Sequence, residues 1–177
     1  MAILLTSTEY IKSHSGLNDN TYDKMILPAL ERAQDLELEE VLGKCLVESL
    51  QEKVADGTIA AAENIAYKEL LDKYIQPFLT YTVLSNITLE IGQVMGNGGI
   101  NTVSDEHRQT LSFEERGQMQ DYWKHHADGY KLKMQVFLKQ NVSAYPELKG
   151  CCPGGAELDS AASTPIWLGG LRGKILW

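Results

Sequence analysis

The stretch Pro77–Met95, PFLTYTVLSNITLEIGQVM, constrains this chain more than any other. As a helix it would place Phe78, Leu79, Tyr81, Val83, Leu84, Ile87, Leu89, Ile91, Val94 and Met95 on nearly every face, and a helix apolar all round belongs in the middle of a domain. The run is too long for an ordinary strand, and Leu79, Val83, Ile87 and Ile91 keep a four-residue step. Thr80, Thr82, Ser85, Asn86, Thr88 and Glu90 interrupt it too often for a bilayer span, which needs unbroken hydrophobicity. The stretch therefore reads as a central helix over 77–95 that other helices must cover.

The covering elements can be read in order. Thr6 and Glu9 form a T-x-x-E capping box with Leu5 and Tyr10 placed as a hydrophobic staple, which predicts a short first helix ending before Gly16. Asn18-Asp19-Asn20-Thr21 supplies the next N-cap, and Tyr22, Ile26, Ala29 and Ala33 share one face of a helix reaching about Asp35. Pro28 inside that pattern either bends the helix or delays its regular start. After Asp35 the apolar phase resets to Leu38, Val41, Leu42, Cys45, Leu46 and Leu50, which predicts a turn or kink between two frames. Asp56-Gly57 closes that segment.

Ala62, Ile65, Ala66, Leu70, Tyr74 and Ile75 then mark an amphipathic helix that should end at Gln76, with Pro77 opening the central helix as the second limb of a hairpin. Gly96-Asn97-Gly98-Gly99 reads as the terminator of the central helix, and Ile100–Thr110 as an exposed, mobile connection. Ser112 and Glu115 make a second capping box. From there Met119, Tyr122, Trp123, His126, Tyr130, Met134 and Phe137 recur at helical steps to about Gln140, giving a helix over 113–140 roughly 40 Å long. The expected fold class is all-α: a helical bundle over 1–140 with an extended arm over 141–177.

The arm differs in character from the body. NVSAYPELKGCCPGGAELDSAASTPIWLGGLRGKILW is rich in Gly, Pro, Ser and Ala, holds no sustained period and cannot build a core of its own. Yet its end concentrates Ile166, Trp167, Leu168, Leu171, Ile175, Leu176 and Trp177, side chains that are costly to leave in water. Trp and Arg dominate interface hot spots. Pro165, Ile166, Trp167, Leu168, Leu171, Arg172, Ile175 and Trp177 are therefore the candidate partner-binding residues, against the plain alternative of a disordered tail.

Composition sets the remaining bounds. At 177 residues the chain is long enough for one cored domain, and its net charge of −8 argues against a surface that grips nucleic acid. Three cysteines, Cys45, Cys151 and Cys152, show no disulfide framework and point to a reducing compartment. The start, MAILLTSTEY, lacks the basic region and apolar length of a secretory signal, so synthesis and use in a cytosol are expected. His125-His126 with Cys151-Cys152 lacks the spacing of structural zinc sites, and GQVMGNGG follows a helix and lacks the Gly-Lys-Ser/Thr ending of a phosphate loop. The acidic run Asp35, Glu37, Glu39 and Glu40 reads as a solvated edge. There is no enzyme signature, and no catalytic residue, cofactor or metal is expected.

The segments AQDLELEEVLGKCLVESL and LLDKYIQPFLTYTVLSNI, with the long helix ending in KMQVFLKQN, resemble the small helical head–tail connector (adaptor) proteins of tailed bacteriophages, nearest in flavour to those of Bacteroides-type phages and prophages. The ending TPIWLGGLRGKILW is similar to the arms with which such connectors grip neighbours. The resemblance implies a structural virion protein at the head–tail interface, made in the host bacterial cytoplasm. It implies a homo-oligomeric ring, usually dodecameric, stacked beneath the portal protein and next to tail-side connector proteins, with DNA passing through it unread and no membrane involved. An acidic lumen would keep DNA mobile. The alternative is a cytosolic interaction module, a phage or bacterial regulator that forms no ring.

Overall fold

Two series of side chains at strict four-residue steps are buried: Ile26, Leu30, Gln34, Leu38, Leu42, Leu46 and Leu50, and Tyr67, Leu71, Ile75, Leu79, Val83 and Ile87. Four residues advance an α-helix by about 400°, so such a stripe would drift by about 40° per step. Helices keep it in line by widening a turn. Each series contains one π-helical turn, Ala33–Leu38 in the first and Leu71–Ile75 in the second, and i→i+5 bonding there takes up the extra residue. The computed structural model describes residues 3–18, 21, 23–90, 93–96, 99–102 and 112–149. Within them the protein is an all-α bundle with one small β-hairpin.

The first series lies on α2 (Asp23–Arg32), the π-turn, α3 (Glu39–Leu42) and α4 (Lys44–Ala55). Arg32 and Glu39 at the joints keep right-handed helical dihedrals, so the phase reset after Asp35 is a wide turn in an unbroken helix and not the turn or kink that the pattern predicts. The corner comes at Gly43, whose φ of 78° and ψ of 151° are open in practice only to glycine. Pro28 stands inside α2 on its exposed side, where water can serve the carbonyl its ring leaves unpaired. Ahead of these, α1 (Thr8–Ser13) is capped by Ser7, whose Oγ accepts the Tyr10 N–H at 3.1 Å. The cap is thus one residue past the expected Thr6, which is buried.

The second series corrects the expected hairpin at Gln76-Pro77. Gly57, at φ 70°, ends the preceding segment as expected. Two 3₁₀ turns, Thr58–Ala60 and Ala62–Asn64, lead into α5 (Ile65–Leu70), which continues through its π-turn into α6 (Gln76–Thr88) as one rod. A proline ring in an ordinary turn would meet the carbonyl four residues back; the wide turn just before Pro77 gives it room. α6 is the central helix, buried at Phe78, Leu79, Thr80, Thr82, Val83, Leu84, Ser85 and Ile87. Thr80 Oγ1 satisfies itself by donating to the Gln76 carbonyl at 2.8 Å.

α6 stops at Thr88, not at Met95. Residues Gln93–Gly96 (β1) and Gly99–Thr102 (β2) pair antiparallel in the register Gln93↔Thr102 through Gly96↔Gly99. The turn chemistry of Asn97-Gly98 between two short runs outweighs the helical continuation of Val94 and Met95. It likewise takes Ile100–Thr102 out of the expected open connection, whose remainder, 103–110, lies outside the described residues.

α7 (Phe113–Gln140) begins on the predicted capping box: Ser112 N–H donates to Glu115 Oε2 at 2.8 Å, and Glu115 N–H to Ser112 Oγ at 3.2 Å. It runs antiparallel along the α5–α6 rod. Tyr81 stacks against Trp123, His126 and Tyr130, and Tyr74 against Phe137 with ring centroids 4.6 Å apart. Of the predicted stripe only Met134 is fully buried; Trp123, His126, Tyr130 and Phe137 are half-buried, and Met119 and Tyr122 are exposed. The core face of α7 is narrower, made by Ala127, Met134 and Leu138.

The body does not end at residue 140. Two further 3₁₀ turns, Val142–Ala144 and Pro146–Lys149, fold back on α4 and α5, and Tyr145 is fully buried. Residues 141–149 therefore belong to the bundle, against the boundary expected at Asn141.

Candidate functional site

The turn after α7 is fixed by a polar knot. Tyr67 Oη, on α5, donates to the Glu147 carboxylate at 2.9 Å from each oxygen, and Ser49 Oγ, on α4, donates to Glu147 Oε1 at 2.7 Å. Lys53 Nζ donates to Ser49 Oγ at 3.2 Å and lies 4.6 Å from the centroid of the Tyr67 ring. Tyr145 packs edge-on against Tyr67 and donates from its hydroxyl to the Ala66 carbonyl at 2.9 Å. Residues 145–147 are thus held by two helices at once.

Burial, and then the Glu147 hydrogen bond and charge, push the Tyr67 phenol up to about 12; burial raises Tyr145 as well. Both shifts favour the protonated phenol in the folded chain. The stabilisation from Tyr67 is full below its unfolded value near 10 and is lost as pH rises through about 12. In an ultraviolet phenolate titration, Glu147→Gln should bring one late-titrating tyrosine to lower pH. An unchanged alkaline limb would mean that the carboxylate does not hold the phenol.

Two clefts flank the central rod. The larger, about 720 Å³ and open to solvent, lies outside α2 and its π-turn, lined by Met25, Pro28 and Leu36 together with three carboxylates, Glu31, Asp35 and Glu90, and two cations, Lys24 and Arg32. Arg32 pairs with Glu90 at 2.8 Å. The smaller, about 260 Å³, lies between the first π-turn, α6 and α7. There Asn86 Nδ2 donates to Glu37 Oε1 at 3.2 Å and Lys131 meets Glu40 at 3.5 Å. The acidic run is therefore partly an inter-helix seam: Asp35 and Glu40 are exposed, while Glu37 and Glu39 are half-buried.

Among the described residues no group of three or more His, Cys, Asp or Glu side chains could hold a metal ion. His126 is packed between Tyr81 and Tyr122, with ring centroids at 5.2 and 4.6 Å, while His125 is exposed. No helix among the described residues is long and apolar enough to cross a membrane. The sequence of a family described as a family of unknown function (DUF6712) matches residues 38–157. The chain belongs to the DUF6712 family. No curated protein and no solved structure matches it.

The DUF6712 match opens at Leu38, inside the first π-turn, and takes in Gly43, the α5–α6 rod, α7 and every residue of the knot at Glu147. α1, α2 and the residues after 157 lie outside it. Pro165, Ile166, Trp167, Leu168, Leu171, Arg172, Ile175 and Trp177, the candidate binding residues, lie outside the described residues, as do Cys151 and Cys152. The knot and the larger cleft escaped the sequence reading. Ser49, Tyr67 and Glu147, like Arg32 and Glu90, meet only across the fold. For the knot one signal existed: Tyr145, a large ring within a stretch otherwise rich in small and polar residues.

Proposed function

We propose that this DUF6712 protein is a structural virion protein, a head–tail connector without catalytic activity. Its copies form a ring beneath the portal through which DNA passes, and the segment after Lys149 docks on a neighbouring subunit, the portal or a tail-side protein. The observation that supports this reading most is the knot at Glu147. A rigid helical body holds, at a defined point, the root of a segment whose far end carries Trp167 and Trp177. A fixed root lowers the entropy cost of presenting an anchor to a partner. The net charge of −8 suits a ring that DNA passes without sticking.

Trp167→Ala should leave the helical circular-dichroism signal unchanged while reducing incorporation into particles by about thirtyfold or more, as loss of a hot-spot tryptophan does. Normal incorporation would count heavily against the reading. A soluble one-to-one complex with a single partner and no ring in sedimentation would favour the cytosolic interaction module instead.

A further inference from the structure

The threonines of α6 treat their hydroxyls in two ways. Thr80 and Thr88 donate to the carbonyls four residues back, Gln76 and Leu84, as a threonine inside a helix can. Thr82, only 2 % exposed, does not, and its buried Oγ1 has no hydrogen-bond partner among the described residues. Its side chain lines the cleft of about 260 Å³ between the first π-turn, α6 and α7. Ser85, also buried, lies three residues on, and its Oγ reaches the Gln120 carbonyl only at 3.5 Å, beyond the usual range of a hydrogen bond. The α7 wall of the cleft departs from the rest of the chain in a second way. Lys44 with Glu48 and Lys68 with Asp72 close ion pairs at a four-residue step. Lys124 and Asp128 stand at that same step, both line the cleft, and neither has an ion pair or hydrogen bond among the described residues.

We propose that this cleft binds a small zwitterion of the amino-acid class, its carboxylate on Lys124, its ammonium on Asp128 and a polar atom on the Thr82 hydroxyl. The other charged groups of the walls are engaged: Glu37 accepts from Asn86, and Glu40 pairs with Lys131. Lys124 and Asp128 are left, together with the buried hydroxyl, and simpler ligands answer only part of that set. A simple anion would meet Asp128, Glu37 and Glu40; a simple cation would meet Lys124 and Lys131; a neutral polyol would take the hydroxyl and neither charge. A buried hydroxyl without a partner costs free energy that a bound polar group returns. At about 260 Å³ the space falls below the roughly 300–1,000 Å³ of drug-sized pockets, which calls for a ligand of metabolite size. The site is independent of the assembly reading.

The test is saturation-transfer NMR on the full chain with a mixture of the common amino acids, each at about 1 mM, followed by titration of the one that shows transfer. Ethanolamine and propionate, which carry one of the two charges each, are the controls. Transfer to at least one amino acid and to neither control is expected. Lys124→Gln, a change at an exposed position, should weaken the titrated amino acid at least about tenfold with unchanged helical signal. Thr82→Val removes the hydroxyl and keeps the shape; it should weaken binding by about tenfold while the melting temperature stays level or rises, because the fold leaves that hydroxyl unused. No transfer from any amino acid, equal transfer to a control, or an affinity that Lys124→Gln leaves unmoved would overturn the site. A Thr82→Val chain that melts earlier yet binds as before would overturn the role of the hydroxyl in it.

Discussion

Tyr145→Ala should destabilise the protein by about 3–5 kcal/mol, the range for removing a buried aromatic ring, and lower its melting temperature by roughly 6–20 °C. Tyr145 lies five residues past the last residue of α7, in a stretch whose composition reads as a free arm, yet it has no exposed surface. Its ring meets Tyr67 edge-on at 5.2 Å and Phe137 at 6.4 Å, and its hydroxyl serves the Ala66 carbonyl. Tyr145→Phe keeps the ring contacts and gives up one hydrogen bond, so its effect should be nearer 1 kcal/mol. A melting temperature unmoved by Tyr145→Ala would return residues 141–149 to the arm.

Gln34→Leu should be the most damaging change at a polar position, at about 2–3 kcal/mol, even though leucine is the better match to the apolar stripe around it. Gln34 sits fully buried in the first π-turn, at the one polar step of the series from Ile26 to Leu50. Its Oε1 accepts the buried Leu5 N–H at 2.9 Å and its Nε2 donates to the Ile3 carbonyl at 3.0 Å. Gln51 Nε2 also reaches the Ile3 carbonyl, at 3.1 Å, so the group left stranded is the Leu5 amide. Amide hydrogen exchange at Leu5 gives the direct readout: protection should collapse in Gln34→Leu while the amides of α6 stay slow. Retained protection at Leu5 would assign the anchoring of the N-terminal segment to Gln51.

The all-α class, the central burial of Phe78 to Ile87, the Ser112–Glu115 box and the corner at Asp56-Gly57 were legible because each rests on neighbours in sequence. The π-turns were not. A four-residue step looks the same whether the helix breaks and restarts or widens one turn, so the reset after Asp35 read as a turn and Pro77 as a boundary. Asn97-Gly98 was a hairpin signal masked by the apolar residues before it. The candidate site was less legible than the fold. The arm residues announced themselves by composition alone, whereas the larger cleft pairs α2 with Glu90, far apart in the chain.

The knot at Glu147 also decides where mechanical tension goes. A pull on the chain beyond Lys149 reaches α7 only after passing the Glu147 carboxylate and the wedged Tyr145 ring, both seated on α4 and α5. The long helix is thereby insulated from its own tail. Strain from the C-terminal segment would be passed sideways into the α5–α6 rod, whose α6 half is buried at Phe78, Leu79, Val83 and Ile87, and would not peel α7 away from its last turn.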